Sequence, residues 1–288
     1  MFQPDLEAEQ APSGAFPCVI EWRRRSDACD ENGFATALVL RRMRRLGIRF
    51  AAIERSLDFL ETCAAEPSGA FSFWPRATRP AWAAGVPPDA DDTAVITLEL
   101  YAHGRRSRAQ AQDTLVDVLI ASLTGRPVPP GPVWRRAGVF PTWLDSDRAD
   151  RANIVDCAVN ANALALMASL GERELPGFAE AVAMIVAAVD WCEQGGSGRA
   201  AKRADTIAPY YASPHAVVQI LDDAVWCGAT ELAGSRDRLA ALVGAAPEGE
   251  TALWRNAYAG PVWRCRALQL LTESASTRKS CHMTDPQA

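Results

Sequence analysis

Three segments of this chain share one design, in which a short polar opening leads into a run of small and aliphatic residues. They open at Asp30, Asp89 and Asp156, at intervals of 59 residues (89 − 30) and 67 residues (156 − 89). Helices that are apolar on nearly all sides lie inside a domain, and amphipathic segments such as 51–64 alternate with these runs. Strand-like alternation is almost absent. The pattern predicts an all-α fold, and a closed ring of helical hairpins (an α/α toroid) fits it better than an open bundle.

The domain boundaries follow from the composition along the chain. We expect residues 1–15 to form a disordered N-terminal segment, residues 16–273 a single α/α-barrel domain, and residues 274–288 a flexible polar tail. A short first helix is expected over 18–25 and a last helix over 254–271, with a proline-rich link over 127–132. In such a ring the first residues of the inner helices converge on one mouth.

The composition argues against several classes of function. With 288 residues, 49% of them hydrophobic, the chain has ample material for a core, and its net charge of −5 argues against a nucleic-acid surface. No apolar run reaches the roughly 18 residues of a membrane span, so membrane contact is expected to be peripheral at most. Residues 1–14 lack the basic and apolar regions of a secretory signal. We therefore expect a cytoplasmic protein.

The eight cysteines are scattered singly, most of them in segments with helical periodicity, and no two form a Cys-x-x-Cys pair. This distribution is typical of reduced cysteines in a core. The sequence therefore predicts neither a disulfide framework nor a zinc site.

Arginine dominates the basic residues, because the chain holds 28 arginines but only two lysines, Lys202 and Lys279. The excess has two interpretations. In the first, the arginine excess is a consequence of genome composition. In the second, some of the guanidinium groups bind a phosphate or diphosphate through paired hydrogen bonds, which lysine does less well.

Three carboxyl groups crowd into four positions at the start of one apolar segment, where Pro87 and Pro88 precede Asp89, Asp91 and Asp92. The residue before a proline is pushed out of helical geometry, so the helix begins at the aspartates. Asp91 or Asp92 is expected at the N-cap or in the first turn, facing free backbone N–H groups. Capping explains one or two aspartates, whereas a third adds like-charge repulsion. A capping role and a functional role both stay open.

Residues 88–95 read Pro-Asp-Ala-Asp-Asp-Thr-Ala-Val. This segment resembles the Asp-x-Asp-Asp-Thr-Ala motif of class II terpene cyclases, especially the squalene–hopene cyclases, and the aliphatic helix after it resembles theirs. The resemblance implies an α/α barrel and an isoprenoid cyclisation that begins with protonation of an alkene. It also implies that Asp91 is the general acid, with Asp89, Asp92 and Thr93 as supporting neighbours.

The resemblance covers about a dozen residues and the helical-hairpin pattern. Squalene–hopene cyclases are about twice as long and enclose their substrate between two barrels, and their repeated Gln-Trp motifs have no clear copies here. The Asp-Asp-x-x-Asp motif of class I enzymes begins at Asp222 and Asp223 but does not continue. A single barrel favours a C15 or C20 prenyl diphosphate, with Mg²⁺ expected only if the substrate carries that diphosphate.

The chemistry explains why several carboxyl groups would be needed. Protonating an alkene creates a tertiary carbocation, so the acid must keep its proton at neutral pH and be shielded from water. Burial and the neighbouring Asp89 and Asp92 would hold a proton in the cluster, and the helix N-terminus would favour the anion left on Asp91. Which of the three carboxyl groups carries the proton stays open.

Aromatic residues on the loops before the inner helices are candidates to stabilise a carbocation by cation–π attraction. Packing of the loops is the alternative for each ring. The expected substrate-binding rings are Phe73, Trp74, Trp82, Trp143 and Tyr211, and the same loops carry Phe71, Phe140 and Tyr210.

Three polar residues are expected near Asp91 at the mouth of the ring, as partners of the acid or of the substrate: Asn160, Asn162 and His215. Asparagines inside an apolar helix need hydrogen-bond partners, and bonding between helices is the alternative for both. Helix capping is the alternative for His215.

Two other functions stay open. A non-catalytic carrier of an isoprenoid or lipid would use the same toroid. A protein-prenyltransferase relative would add a zinc site, for which Asp27 and Cys29 give a partial match without a histidine in context. The expected partner is a small-molecule isoprenoid, and no oligomeric state is predicted.

Overall fold

A computed structural model describes residues 5–22, 25–49, 51–124, 134, 137–144, 154–196, 199–246, 252–255 and 261–283. The predicted proline-rich link over 127–132 and residues 284–288 of the expected tail lie outside these ranges. Helices dominate the described chain, and the strands form one four-stranded sheet and one two-stranded hairpin.

The elements follow one another along the chain, with short 3-10 or π turns at 81–83, 114–122 and 230–232. They are β1 Cys18–Trp22, β2 Arg25–Asp30, α1 Gly33–Leu46, α2 Ile53–Thr62, β3 Ala64–Ala65, β4 Ala70–Phe71, α3 Ala90–Ala102, α4 Arg108–Asp113, α5 Cys157–Leu170, α6 Phe178–Glu193, α7 Ala200–Ala204, α8 Pro214–Trp226, α9 Ala233–Val243, β5 Ala252–Arg255, β6 Val262–Cys265 and α10 Arg266–Met283.

Four helices share one interior. The helix α3 packs against α1 on one side and α5 on the other, and α5 packs against α8. Ion pairs from Arg45 to Asp222 and Asp223 join α1 to α8. As the sequence predicted, α5 is apolar nearly all round, and every residue except Ser169 is buried. Polar side chains of the four helices meet in this interior.

A second set of helices lies against the first, with α2 on α1, α6 on α5 and α9 on α8. The amphipathic pattern over 51–64 is confirmed in α2, which buries Leu57 and Leu60 and exposes Asp58 and Glu61. Within the described ranges, no helix combines the length and the apolar character needed to cross a bilayer.

Each inner helix begins at a capping side chain that accepts hydrogen bonds from free backbone N–H groups. Asn32 caps α1, Asp89 caps α3, Asp156 caps α5 and Ser213 caps α8. Asp91 or Asp92 was expected at the N-cap or in the first turn, and both residues lie in the first turn. The cap itself is Asp89, because the extended backbone at that residue aims its carboxylate at the N–H of Asp92, 2.6 Å away.

The expected all-α fold is wrong at both ends of the domain, where an antiparallel sheet forms in the order β2-β1-β6-β5. The predicted first helix over 18–25 is instead β1 and the start of β2. Cys18 is buried whereas Val19 is 45% exposed, and β6 alternates likewise, with Trp263 and Cys265 buried. This period of two places one face of the sheet against the protein interior.

The prediction of a last helix over 254–271 is wrong for its first part, because residues 254–255 belong to β5 and residues 262–265 form β6. The helix α10 begins at Arg266 and continues to Met283, through much of the segment expected to be a flexible tail. It packs against α1 and buries Leu268, Leu271 and Ser274, which hold its first half to the domain.

Residues 5–15 also differ from the expected disordered segment. Leu6 is buried, and the side-chain amide of Gln10 donates to the Oγ of Ser56 across 2.8 Å and to the carbonyl of Ala52 across 3.1 Å. The hydrogen bonds of Gln10 hold this segment to the start of α2.

Candidate active site

The start of α3 places three carboxyl groups within one helical turn. Asp89 is partly buried at the cap, while Asp91 and Asp92 occupy the first turn and are buried, with Asp91 6% exposed. Two pairing contacts fix the chain just before the helix, because Ala90 donates its backbone N–H to Thr142 and Leu144 donates to Pro88. The start of the helix is therefore held against residues 142–144.

Asp91 accepts a hydrogen bond on each carboxylate oxygen. The hydroxyl of Tyr211 donates to Oδ2 across 2.6 Å, and Nδ2 of Asn162 donates to Oδ1 across 2.7 Å. Nδ2 of Asn162 also lies 3.2 Å from the Tyr211 hydroxyl. The predicted site residues Asp91, Asn162 and Tyr211 thus come together from α3, from α5 and from the turn before α8.

A buried ion pair extends this cluster away from the helix start. Arg41 Nη1 donates to Asn162 Oδ1 across 2.9 Å, and Arg41 Nε donates to Glu99 across 2.9 Å. Arg44 adds a second guanidinium to Glu99 at 3.0 Å, and the Arg41 and Glu99 side chains are fully buried. Sequence reasoning missed this network, although Arg41 at the end of an apolar run and Glu99 inside another were visible signals.

Burial raises the pKa of all three aspartates. The pKa of Asp91 rises to about 6, against the hydrogen bonds from Tyr211 and Asn162, which lower it. The pKa of Asp89 rises to about 8 through burial and the charge of Asp91. The pKa of Asp92 is raised well above its ordinary value by burial and by the charges of Asp89 and Asp91. The cluster therefore retains a proton near neutral pH.

Asp92 favours its neutral, protonated form. Its side chain hydrogen-bonds to Asp89, which raises the pKa of Asp92 and lowers that of Asp89, as expected when Asp92 is the protonated donor. Its Oδ2 atom is buried and has no hydrogen-bond partner among the described residues. An ionised Asp92 would have no donor at that oxygen, so the neutral acid is favoured.

A fourth carboxyl group stands nearby, on Asp156 at the start of α5. Its Oδ1 atom accepts the backbone N–H groups of Ala158 and Val159, and its Oδ2 atom accepts that of Tyr210. Burial and the charge of Asp91 raise the pKa of Asp156 to about 7. The sequence marked Asp156 as a helix opening but did not place it beside Asp91.

Thr93 and Asn160 make contacts that fix the backbone around the site. The Thr93 hydroxyl donates to the carbonyl of Asp89 across 2.6 Å and accepts the N–H of Phe71 across 3.0 Å. The Asn160 amide bonds the backbone N–H and carbonyl of Phe140 at 3.0 and 2.9 Å. Both residues tie loops to helix starts, and neither is among the hydrogen-bond partners of Asp91.

His215 lies in the first turn of α8, two residues after the cap Ser213. Its Nε2 atom is buried and has no hydrogen-bond partner within the described part of the chain. It does not hydrogen-bond Asp91, so the structure does not bring it into the cluster with Asn162 and Tyr211.

The predicted aromatic residues form a packed array that begins beside Asp91. Tyr211 packs edge-on to Phe34 at 6.2 Å between centroids, and Phe34 stacks on Phe73 at 6.3 Å. Phe73 contacts Trp74 at 4.5 Å, and Trp74 contacts Trp82 at 5.3 Å. Trp82 is 59% exposed, so the array runs from the buried acid to the surface.

Trp143 lies apart from that array, packed edge-on against Tyr210 at 5.6 Å. Its backbone forms an isolated bridge with Asp89. It therefore borders the aspartate cap rather than the rings around Phe73.

Asp30 anchors the aromatic array to the sheet. Its carboxylate accepts the indole N–H of Trp74 across 2.7 Å and that of Trp263 across 3.0 Å, and the side chain of Asn32 donates to it across 2.9 Å. Burial raises the pKa of Asp30, against these three donors, which lower it. Sequence reasoning noted the position as a helix opening but missed this role.

An open groove of about 980 Å³ lies beside the aspartate segment. Trp74, Trp143 and Pro88 line it together with the basic residues Arg76 and Arg79. Acidic side chains line it as well, namely Glu66 and Asp117. The groove combines aromatic and aliphatic walls with two cationic and two acidic groups.

Neither a metal site nor a known relative identifies the cluster. The described ranges hold no group of three or more histidine, cysteine, aspartate or glutamate side chains placed to bind a metal ion. No family model, curated protein or solved structure matches this chain.

Proposed function

We propose that this chain is a single α/α toroid and a class II terpene cyclase-like enzyme of the cytoplasm, in which Asp91 protonates a linear isoprenoid. The observation that carries the proposal is the placement of Asp91. It is buried at the start of an apolar helix, beside the carboxyl groups of Asp89 and Asp92 and within hydrogen bonds of Tyr211 and Asn162. A carboxyl group that protonates an alkene must still hold its proton at neutral pH, and burial beside other carboxyl groups favours the protonated form.

The proposed reaction conserves atoms. Asp91 transfers its proton to one carbon of an alkene, and the positive charge develops on the neighbouring carbon. A second alkene of the same molecule attacks that carbon and closes a ring, and loss of a proton ends the reaction, so the product is an isomer of the substrate. Tyr211 and Asn162 stabilise the carboxylate left on Asp91, because both already donate to its oxygens.

The surroundings support an isoprenoid as the substrate class. The aromatic faces of Phe34 and Phe73 lie next to Tyr211 and would stabilise a carbocation near the acid. In the groove, Arg76 and Arg79 would face the diphosphate of a C15 or C20 prenyl diphosphate. Because Asp91 is 6% exposed, an alkene reaches it only after neighbouring side chains move.

Mg²⁺ takes no part in the proposed protonation or ring closure. The aspartates are committed to capping, to one another and to Tyr211 and Asn162, and the described residues offer no metal site of their own. In this scheme Mg²⁺ enters only as a counter-ion of the substrate diphosphate.

Product analysis tests the function. The full chain is incubated with farnesyl or geranylgeranyl diphosphate and Mg²⁺, and the products are dephosphorylated and identified by gas chromatography and mass spectrometry. The parent should form a cyclic isomer, and Asp91→Asn should form at least 100-fold less. The exposed Asp113→Asn serves as the matched control and should retain activity. Equal cyclisation by Asp91→Asn and the parent would show that Asp91 is not the acid.

One observation favours a second candidate, a binding protein for an isoprenoid or lipid that performs no chemistry. Both oxygens of Asp91 already accept hydrogen bonds from the protein, as in a structural polar cluster. This candidate requires that the parent bind a prenyl diphosphate measurably in calorimetry and return it unchanged. No described observation favours the zinc-dependent prenyltransferase alternative.

A further inference from the structure

Two cysteines that are far apart in sequence face each other across the sheet. Cys18 of β1 and Cys265 of β6 are direct partners in the antiparallel register. Both are 1% exposed, and both are free thiols. Their side chains hydrogen-bond to each other. Direct partners on one face of an antiparallel pair have Cβ atoms about 4.5–5.5 Å apart, so a small backbone adjustment brings their sulfurs to bonding distance.

The surroundings of the two sulfurs differ, and they favour the thiolate on Cys265 rather than on Cys18. Cys265 immediately precedes α10, and the backbone N–H groups of Ala267 and Leu268 hydrogen-bond to its sulfur. The start of a helix stabilises negative charge, so a thiolate is favoured there. The hydrogen bond from Cys18 lowers the pKa of Cys265, and the same bond raises the pKa of Cys18.

We propose that Cys18 and Cys265 form an oxidation site, in which hydrogen peroxide converts the two thiols to a disulfide that links β1 to the last residue of β6. The site is independent of the proposed cyclase activity. The sequence predicts reduced core cysteines and no disulfide framework, and it does not reveal this pair because the pair is defined by strand register rather than by sequence spacing.

The chemistry balances with one equivalent of hydrogen peroxide. The thiolate of Cys265 attacks one peroxide oxygen, the O–O bond breaks, and Cys265 becomes a sulfenic acid with release of hydroxide. The sulfur of Cys18 then attacks the sulfenic sulfur, the S–O bond breaks, and hydroxide leaves. The two hydroxides take up the two thiol protons, so two thiols and one peroxide give one disulfide and two waters. A peroxide suits this buried pair because it is scarcely larger than water.

The experiment oxidises the full-length parent with a small excess of hydrogen peroxide, alkylates the remaining thiols and digests with pepsin without reduction. Mass spectrometry should find the peptides of Cys18 and Cys265 joined, lighter by two hydrogen atoms than their sum, and at least tenfold above any other cysteine pair. The thermal midpoint should rise by roughly 5 °C and return on reduction.

Two variants and one control make the assignment specific. Cys18→Ser and Cys265→Ser should each lose the joined peptides and the thermal shift, whereas Cys192→Ser, which alters a buried cysteine of α6, should keep both. Recovery of Cys18 and Cys265 as alkylated thiols while the exposed Cys29 is oxidised would overturn the proposal. That readout comes from the parent, so it does not depend on the folding of any variant.

Discussion

The side chain of Asn162 donates from Nδ2 to Oδ1 of Asp91 across 2.7 Å, and this orientation is dictated by a third residue. Arg41 has only donor groups, and its Nη1 atom contacts the amide oxygen of Asn162. The amide nitrogen of Asn162 must then point the other way, toward Asp91. A buried arginine of α1 thus sets which hydrogen bond the carboxylate at the start of α3 receives.

The Tyr211 hydroxyl should hold the pKa of Asp91 down. Tyr211→Phe removes the 2.6 Å hydrogen bond and little volume, so the pKa of Asp91 should rise from about 6 by about one pH unit. Carboxyl ¹³C NMR titration measures it directly. Tyr210→Phe is the control, because Tyr210 contacts Asp156 through its backbone and Trp143 through its ring. Equal midpoints in both variants would contradict the assigned hydrogen bond.

Removing the buried guanidinium of Arg41 should be costly. Arg41→Met leaves the amide oxygen of Asn162 unpaired and leaves Glu99 with Arg44 alone, so the free energy of unfolding should fall by about 3 kcal/mol in urea titration. The exposed ion pair of Arg105 with Asp58 is the matched control, and Arg105→Met should cost less than about 1 kcal/mol. Similar losses for the two variants would refute the buried role of Arg41.

The aspartate cluster predicts a protein that is more stable in mild acid than at neutral pH. The folded pKa values of Asp89, Asp91 and Asp156 are raised from 3.8 to about 8, 6 and 7. The native state therefore binds more protons than the unfolded state within this range, and its stability falls as pH rises from about 4 to about 8. Urea titrations across that range should show a decrease of more than about 1 kcal/mol.

Asp92→Asn checks the same reasoning at one residue. The asparagine amide can still donate a hydrogen bond to Asp89. The substitution removes a buried carboxyl group whose pKa is raised well above its ordinary value. The variant should equal or exceed the parent in stability at pH 8 and should flatten the pH dependence. The exposed Asp113→Asn should leave the pH dependence unchanged. If the free energy of unfolding of the variant fell with pH as steeply as that of the parent, Asp92 would not contribute to the pH dependence.

Asp30 should couple the sheet to the aromatic array. Asp30→Ala removes the acceptor for the indole N–H groups of Trp74 and Trp263, both buried, so the free energy of unfolding should fall by about 2–3 kcal/mol. Tryptophan emission should shift to the red as these indoles meet water. Asp117→Ala, on an exposed position of the groove, should change neither quantity. An unchanged emission spectrum in Asp30→Ala would argue against this anchoring.

The helices of this fold could be predicted from the sequence because their determinants are local. The apolar runs of α3 and α5, the prolines before Asp89 and the polar caps lie within a few residues of the helices they define. The strands could not be predicted in the same way, because β1 pairs with β6 from the opposite end of the chain. A five-residue alternation that ends in arginines is too short to distinguish from a helix turn.

The site was predictable only in part, for a similar reason. Asp91 and Asn162 could be named from their residue types, and the structure brings them into contact. The role of Arg41 depends on contacts 58 residues away with Glu99 and 121 residues away with Asn162, which no local pattern encodes. Asn160 and Asn162 looked equivalent in the sequence. Their different partners follow from the helical rotation of about 200° between them.

The pairing of β1 with β6 also orders the events of folding on the ribosome. The partner of Cys18 in β6, Cys265, is synthesised 247 residues later (265 − 18). Until then Asp30 lacks one of its indole donors, Trp263, and one edge of β1 stays unpaired. Helical hairpins such as α5 and α6 can assemble as soon as their own residues have emerged, whereas β1 must wait for β6. A nascent chain of this protein therefore exposes a strand edge that chaperones would need to cover.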